Sequence, residues 1–409
     1  MVSPIPGWRT PIVVIVAGCL ISMIGFGVRA IMGLFLEPMT VTQGWTRETF
    51  ALAMAIQNLV WGFGVPIAGA IADKFGPSRV IAIGALIYAS GVIAMAMSES
   101  AFMLQLTGGL LLGVGVAFTS FSLALAAMAQ VVSEAQRGFA LGLGTAFGSV
   151  GQIVFSPITN GMIESLGWYD ALVWLSIISL LLFPLAFALP SGPSKRASGA
   201  ASDDQTLRSA IAEARSHRGY VLLTLGFFVC GFHVTFIAVH FPAYVIDVGL
   251  APSVGANALA IVGIFNIVGA IGAGVLAKRW TMKNCLAVIY FLRSIAIVGL
   301  LLAPPTVTTI YVFSMCIGLL WLSTVPLTTN IVAQVFGVRY LATLFGFVFL
   351  SHQLGSFLGV WLGGIAFDQT GSYDLVWQLG IVLGVAAALV HLPIDERPLI
   401  RLGNAQSAA

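Results

Sequence analysis

The sequence predicts an all-α integral membrane protein, with twelve transmembrane helices in two pseudo-symmetric six-helix bundles. Three observations lead there. Of 409 residues, 59% are apolar and only 8% charged, and the mean hydropathy is +1.01, a balance that a soluble chain of this length does not reach. The apolar residues fall into twelve runs, each near or above the roughly twenty residues needed to cross a bilayer core. Finally, the stretch GAIADKFGPSR, Gly69 to Arg79, has a degraded copy, GVLAKRW, that starts at Gly274, with Lys278 and Arg279 where Asp73 and Lys74 stood. The offset, 274 minus 69, is 205 residues, half the chain, as a duplicated six-helix unit requires.

In order, the expected helices cover 10–36, 47–72, 79–97, 102–131, 138–163 and 169–189, then 219–246, 253–277, 284–303, 307–335, 341–366 and 374–393. No basic leader or small-residue cleavage site precedes the first run, so it is expected to be a retained helix and not a signal peptide. The domains follow as an N-terminal bundle at 1–189, a cytoplasmic linker at 190–218, and a C-terminal bundle with a short tail at 219–409. The linker is rich in Ser, Gly, Ala and charge and holds one amphipathic piece, TLRSAIAEARSHR. Its cations suit either solvent or anionic headgroups. Glycines at four-residue spacing mark helix five (Gly144, Gly148) and helix eleven (Gly355, Gly359, Gly363). Apolar side chains gain little by meeting in lipid, so small residues that let backbones touch form the helix seams. Helix five then meets Ser156-Pro157, where a proline frees a carbonyl and is expected to bend the helix.

Cation placement sets the orientation. With both termini and the even-numbered loops inside, fifteen of the eighteen Lys and Arg residues are cytoplasmic and only Arg47 is external. The positive-inside rule therefore places both termini in the cytoplasm. The four cysteines, Cys19, Cys230, Cys285 and Cys316, lie in apolar runs without metal-ligand or redox spacing, and no Asn-x-Ser/Thr acceptor occurs. A multi-pass protein of the bacterial cell inner membrane, monomeric, without disulfides, metal or cofactor, is the expectation.

Gly69, Asp73, Lys74, Gly76 and Arg79 carry a resemblance to the loop signature of the major facilitator superfamily of transporters, which covers nearly the whole chain. The resemblance implies that superfamily's fold, with alternating access between two bundles and a central cavity. It also implies that these five residues form a conformational latch on the cytoplasmic side. Four further stretches, GWRTPIVVIVAG, GVRAIMGLFLEPM, FHVTFIAVHFPAYVIDVGL and SHQLGSFLGVWLGGIAFDQTGSYD, look like the bacterial branch of the monocarboxylate porter family, neighbours of the oxalate-formate exchangers. That family carries small organic acids such as lactate or pyruvate, typically with a proton, and often holds a basic residue late in helix one, where Arg29 stands. The Asp and Arg that animal members place on helix eight are replaced here by Asn266 and Ala270. Helix eleven offers His352 where exchangers of the oxalate type use a cation.

Intramembrane polar groups are costly and therefore functional candidates. Arg29 lies about eighteen residues, hence about 27 Å, above the start of helix one at 1.5 Å per residue. His233 and His240 sit on one face of helix seven, Arg293 near mid-depth in helix nine, and His352 with Gln353 in helix eleven. Gln57, Asn58, Asn266, Thr324, Thr328 and Asn330, with Trp321, complete the set. All fifteen carboxylates fall in loops or near helix ends. Two arginines without a buried acid leave a positive field that a substrate carboxylate would satisfy. The alternatives are that Arg29 reaches the outer surface or pairs with Glu37, and that Arg293 caps backbone carbonyls.

The expected function is secondary transport of a small carboxylate, by proton symport. Substrate would meet Arg29, Gln57, Asn58, Asn266, Trp321, Thr324, His352, Gln353 and Arg293, protons would load on His352, His240 or His233, and Phe118, Phe121, Phe232 and Trp321 would wall the organic tail. Anion exchange and efflux of an amphipathic compound are the alternatives. No His-Glu-x-x-His, paired-Asp, nucleophile-base or phosphate-loop pattern occurs, so no catalytic residue is expected, and nothing points to nucleic acid.

Overall fold

A computed structural model of the chain describes residues 8–192, 206–337 and 339–399. The expected linker positions 193–205, with Lys195 and Arg196, and the tail from 400, with Arg401, lie outside the described residues. Among the described residues twelve helices are long and apolar enough to cross a membrane. They are α1 (Pro11–Gln43), α2 (Arg47–Phe75), α3 (Pro77–Ala96), α4 (Ala101–Ala129), α5 (Gln136–Leu166), α6 (Trp168–Ala186), α7 (Arg218–Asp247), α8 (Pro252–Leu276), α9 (Met282–Leu302), α10 (Val307–Phe336), α11 (Leu341–Thr370) and α12 (Asp374–His391). The amphipathic piece of the linker forms a short helix, Leu207–Ser216, capped by Thr206 and packed through Ala210 and Ala214.

Local chemistry sets the ends. Thr10, Ser100 and Thr306 each accept a backbone N–H three residues on, at the starts of α1, α4 and α10, relieving one of the unpaired donors of a first turn. Between α2 and α3 the chain turns on Gly76 at φ +89°, and a Cβ there would also lie 2.6 Å from the carbonyl carbon of Ser191. Only glycine fits both conditions.

Three helices that read as uninterrupted in sequence are not. α1 tightens through a 3₁₀ turn at Met32–Phe35 before continuing to Gln43. α4 opens into π turns at Gln105–Leu111 and breaks at Thr119 and Ser120. α10 stops at Leu319 and resumes at Thr324. Pro326 falls in the first turn of that second segment, where its missing N–H costs nothing. α4 and α10 hold the same place in the two halves. α5 runs through Pro157 without a break, and Ser156 Oγ donates instead to the Ala256 carbonyl at 2.6 Å.

Glycine seams draw helices together, though in α5 they differ from the spacing expected. A Cβ on Gly148 would meet Phe26 at an ordinary 3.7 Å, whereas one on Gly27 would lie 2.6 Å from Gly151. The tight α1–α5 approach therefore belongs to Gly27 and Gly151. Gly144 faces Leu125 and Met128 of α4. In α11 the expected trio does form the seam, since Gly355, Gly359 and Gly363 press on Phe228, Phe232 and His240 of α7, and Gly231 returns the contact against the His352 carbonyl.

The described chain groups into two compact units. One contains α1–α6 together with Thr235–Ile264 and Val360–Tyr373, that is, one end each of α7, α8 and α11. The other contains the linker helix, the remainder of α7 up to Val234, Phe265–Gly359, and α12. Its core joins α7, α9, α10, α11 and α12 through Cys230, Tyr290, Ile331, Val348 and Ala388.

Candidate functional site

In the first unit the site is built around Arg29 on α1. Its Nη2 donates to Asn58 Oδ1 on α2, and its guanidinium lies 4.2 Å from the centroid of the Trp61 ring and 6.0 Å from that of Phe26. Asn58 is held in turn, since its Nδ2 donates to the Met54 carbonyl at 2.8 Å. Trp61 follows Asn58 by three residues, and that helical spacing puts amide and ring on one side of α2. Arg29 Nε is buried without a hydrogen-bond partner. Among the described residues no ion pair reaches Arg29, so Glu37 does not neutralise it. Tyr88 on α3 donates to the Gly25 carbonyl of α1 at 3.0 Å and braces the turn below Arg29. The result is a fixed cation, stacked on an indole and oriented by an amide, with donor capacity to spare for a carboxylate.

Other expected site residues of this unit have structural partners. Gln57 donates to the Gly108 carbonyl of α4 at 3.1 Å. Phe118 lines an apolar cleft of about 280 Å³ with Val60, Phe63 and Ile67, the last two strongly exposed, as side chains facing lipid are. Phe121 instead packs edge-on against Phe26, 6.4 Å between centroids, beside Arg29.

In the second unit Arg293 closes the break in α10. Its Nε donates to the Leu320 carbonyl at 3.1 Å, and its Nη2 reaches the carbonyls of both Leu320 and Trp321. Asn266 Oδ1 accepts the Leu322 N–H at 3.0 Å. Helix breaks free backbone groups that lipid cannot satisfy; here α8 and α9 satisfy them. Arg293 is 1% exposed and its Nη1 has no partner. Nη2 also lies 3.6 Å from Cys230 Sγ, which is 3.2 Å from Thr324 Oγ1. The carbonyl-capping alternative for Arg293 thus describes most of its bonds. Trp321 and Phe232 are buried.

The three histidines have separate surroundings. His233 bonds through Nε2 to the Gly380 carbonyl at 2.7 Å and packs on Gly384, in the seam with α12. His240 lies between the Val360 carbonyl at 2.8 Å and the Tyr373 hydroxyl at 3.2 Å. His352 sits against Phe227 and Phe349, with Nδ1 2.9 Å from Gln353 Oε1 and 3.5 Å from Ser356 Oγ. No relay joins them through the bonds described.

At the loop of the repeated motif, Asp73, Lys74 and Arg79 are exposed and take part in no ion pair among the described residues. Gly69 has open space around it, and Gly76 packs on the end of α6 near Ser191. Sequence reasoning passed over Cys230 and Tyr88. The 205-residue offset carries a signal for the latter, because 88 plus 205 is 293 and Tyr88 is the counterpart of Arg293. Among the described residues no group of three or more His, Cys, Asp or Glu is placed to hold a metal.

Comparison with known proteins bears on this arrangement. A family model described as Major Facilitator Superfamily matches residues 15–360. The chain is 24% identical over 375 residues to the uncharacterized MFS-type transporter YcxA of Bacillus subtilis, covering 89% of this chain and 90% of that protein. It is 25% identical over 401 residues to monocarboxylate transporter 13 of Rattus norvegicus, covering 95% and 89%. Among solved structures, the nucleoside transporter NupG superposes with a TM-score of 0.77 at 15% identity, over 93% of this chain and 99% of that one. A D-xylose-proton symporter gives 0.73 at 14% identity, over 96% and 99%. These structural likenesses share a fold and nothing finer.

Proposed function

Since the chain belongs to the Major Facilitator Superfamily, whose members are membrane transporters and not enzymes, we propose that it carries small organic anions by proton symport, monocarboxylates such as lactate or pyruvate first among them. The observation that carries this reading is Arg29. It is a cation in an apolar span, oriented by Asn58 and stacked on Trp61, with a buried Nε that has no hydrogen-bond partner and, among the described residues, no carboxylate paired to it. A charge kept in an apolar span without a counter-ion is costly, so a site that keeps one is suited to an anionic ligand. The similarity to monocarboxylate transporter 13 supports the same substrate class.

In this reading Arg29 takes the carboxylate by a charge-assisted hydrogen bond. His352, beside Gln353 and Ser356, loads the proton, so that the pair crosses with little net charge. The six-helix bundles at 1–189 and 219–409, joined by the linker at 190–218, alternate access to the site. The chain works as a monomer in the bacterial cell inner membrane with both termini cytoplasmic.

Uptake of labelled lactate and pyruvate into proteoliposomes, with and without an inward proton gradient, tests the proposal. Gradient-driven accumulation is expected. Movement only from vesicles preloaded with carboxylate would make the protein an exchanger, and no movement under either condition would end the organic-anion reading in favour of efflux.

A further inference from the structure

The cation distribution singles out Arg47 as the one external cation, and the structure surrounds it with partners. Arg47 opens α2. Its guanidinium grips Asp247, the last residue of α7, in a bidentate pair at 2.6 and 2.7 Å. Nη1 also donates to the Tyr373 hydroxyl at 2.7 Å, and the guanidinium lies 3.6 Å from the centroid of the Phe367 ring of α11. The Arg47 side chain is 11% exposed, so solvent does not dissolve the pair as it does a surface salt bridge.

A second tie uses the backbone. The first amides of a helix lack partners inside it. In α2 the Thr49 N–H goes to Thr46 of the same turn, but the Arg47 and Glu48 N–H groups go to the two oxygens of Asp368, at 3.0 and 2.7 Å. Asp368 lies 321 residues away, near the end of α11. The carboxylate thus sits at the positive end of the α2 dipole. Glu48 returns the contact, accepting the Trp361 indole N–H at 3.1 Å. Beneath, Gly364 brings the two backbones together, since a Cβ there would lie 2.6 Å from Glu48 Cα. Tyr373 extends the network to His240 at 3.2 Å.

All of these groups lie within the first unit, and they tie the start of α2 to the ends of two helices from the other half of the sequence. We propose that Arg47, Asp247, Asp368 and Tyr373 form an external lock that holds this transporter closed toward the outside and must break for the outward-open state to form. Among the described residues Asp73, Lys74 and Arg79, at the loop of the repeated motif, take part in no ion pair, which fits the same state. The inference rests on the alternating-access part of the proposed function and not on the substrate, so its test uses none.

Hydrogen exchange of the protein in nanodiscs, read by mass spectrometry, is that test. In Asp247→Asn and in Asp368→Asn, exchange over 44–50 and 361–373 should rise by about tenfold or more, the scale of losing a hydrogen bond to a charged group. Exchange over 69–79 should fall, because opening one side closes the other. A rise near the lock with no change at 69–79 would make the network a local brace and overturn the proposal. So would unchanged exchange at both places. If the single variants do not fold, the charge swap Arg47→Asp with Asp247→Arg keeps the pair and should restore wild-type exchange at both segments; failure of the folded swap to do so is equally fatal. Loss of lactate transport with the expected exchange pattern intact would count against the substrate reading alone.

Discussion

At the scale of single residues, Arg29 and Arg293 have opposite surroundings, the second spending most of its bonds on backbone carbonyls. Arg29 has one amide and two rings; replacing it by Gln should lower carboxylate uptake about 10- to 100-fold, the range of a charge-assisted hydrogen bond, while size-exclusion profile and insertion stay normal. Arg29→Lys keeps the charge without the fork and should recover only part of the activity. For His352, His352→Gln should retain substrate exchange and lose accumulation driven by a pH gradient; a variant that still accumulates substrate would remove His352 from coupling. Arg29 was legible in the sequence because a cation in an apolar run has few explanations. The bonds of Gln57 and His233 were not, since an amide or imidazole at mid-depth looks alike whether it faces a cavity or a neighbouring backbone. Tyr373 lies in the short connection between α11 and α12, and burial raises its hydroxyl above the usual value near 10. A raised folded value favours the protonated form, so its bond in the lock is fully present below pH 10 and weakens only above it. Exchange over 361–373 should therefore show no change traceable to Tyr373 between pH 6 and 9, a flat profile that a titration series can check.

At the scale of helices, the seams and breaks carry separate consequences. Gly231 meets the His352 carbonyl and Gly355 the Phe228 carbonyl so closely that an added methyl has nowhere to go. Gly355→Ala should cost about 1–3 kcal/mol, the usual penalty of overpacking, whereas Gly148→Ala, facing Phe26 at 3.7 Å, should be close to neutral; thermal unfolding in detergent separates the two. The four-residue glycine spacing foretold the α11 seam correctly and put the α5 seam one turn early, because spacing records that small residues recur and not which neighbour they touch. The break in α10 was hidden for a related reason: its residues remain apolar enough to read as one span, and the groups that close it come from α8 and α9. Arg293→Gln should lower stability by about 1–3 kcal/mol, the cost of leaving buried carbonyls unpaired, whether or not substrate is present.

For the whole molecule, composition and the half-length repeat were enough to give twelve helices in two halves, because both are properties of long stretches and survive low identity; the superfamily came from the resemblance carried by the loop signature around Asp73 and Arg79. The external lock was beyond their reach. Arg47 and Asp247 are 200 residues apart, and Arg47 and Asp368 are 321 apart, and acids at helix ends are ordinary in any membrane protein. Orientation is testable directly: in a variant without the native cysteines, Ser372→Cys should react with an impermeant maleimide in intact cells, and Lys278→Cys, at an exposed loop position, should not. The reverse pattern would invert the reading of which face the lock guards.

The closure of the α10 break also has a bearing on inheritance. Arg293 and Asn266 are ordinary polar residues only so long as Leu320, Trp321 and Leu322 offer them bare backbone, and that bare backbone is tolerable only while they remain. Neither side can change first without loss. In a library randomised at 266, 293 and 320–323, the survivors should therefore differ from the parent at several of these sites together or at none, and descendants of this chain should keep or exchange the group as a block.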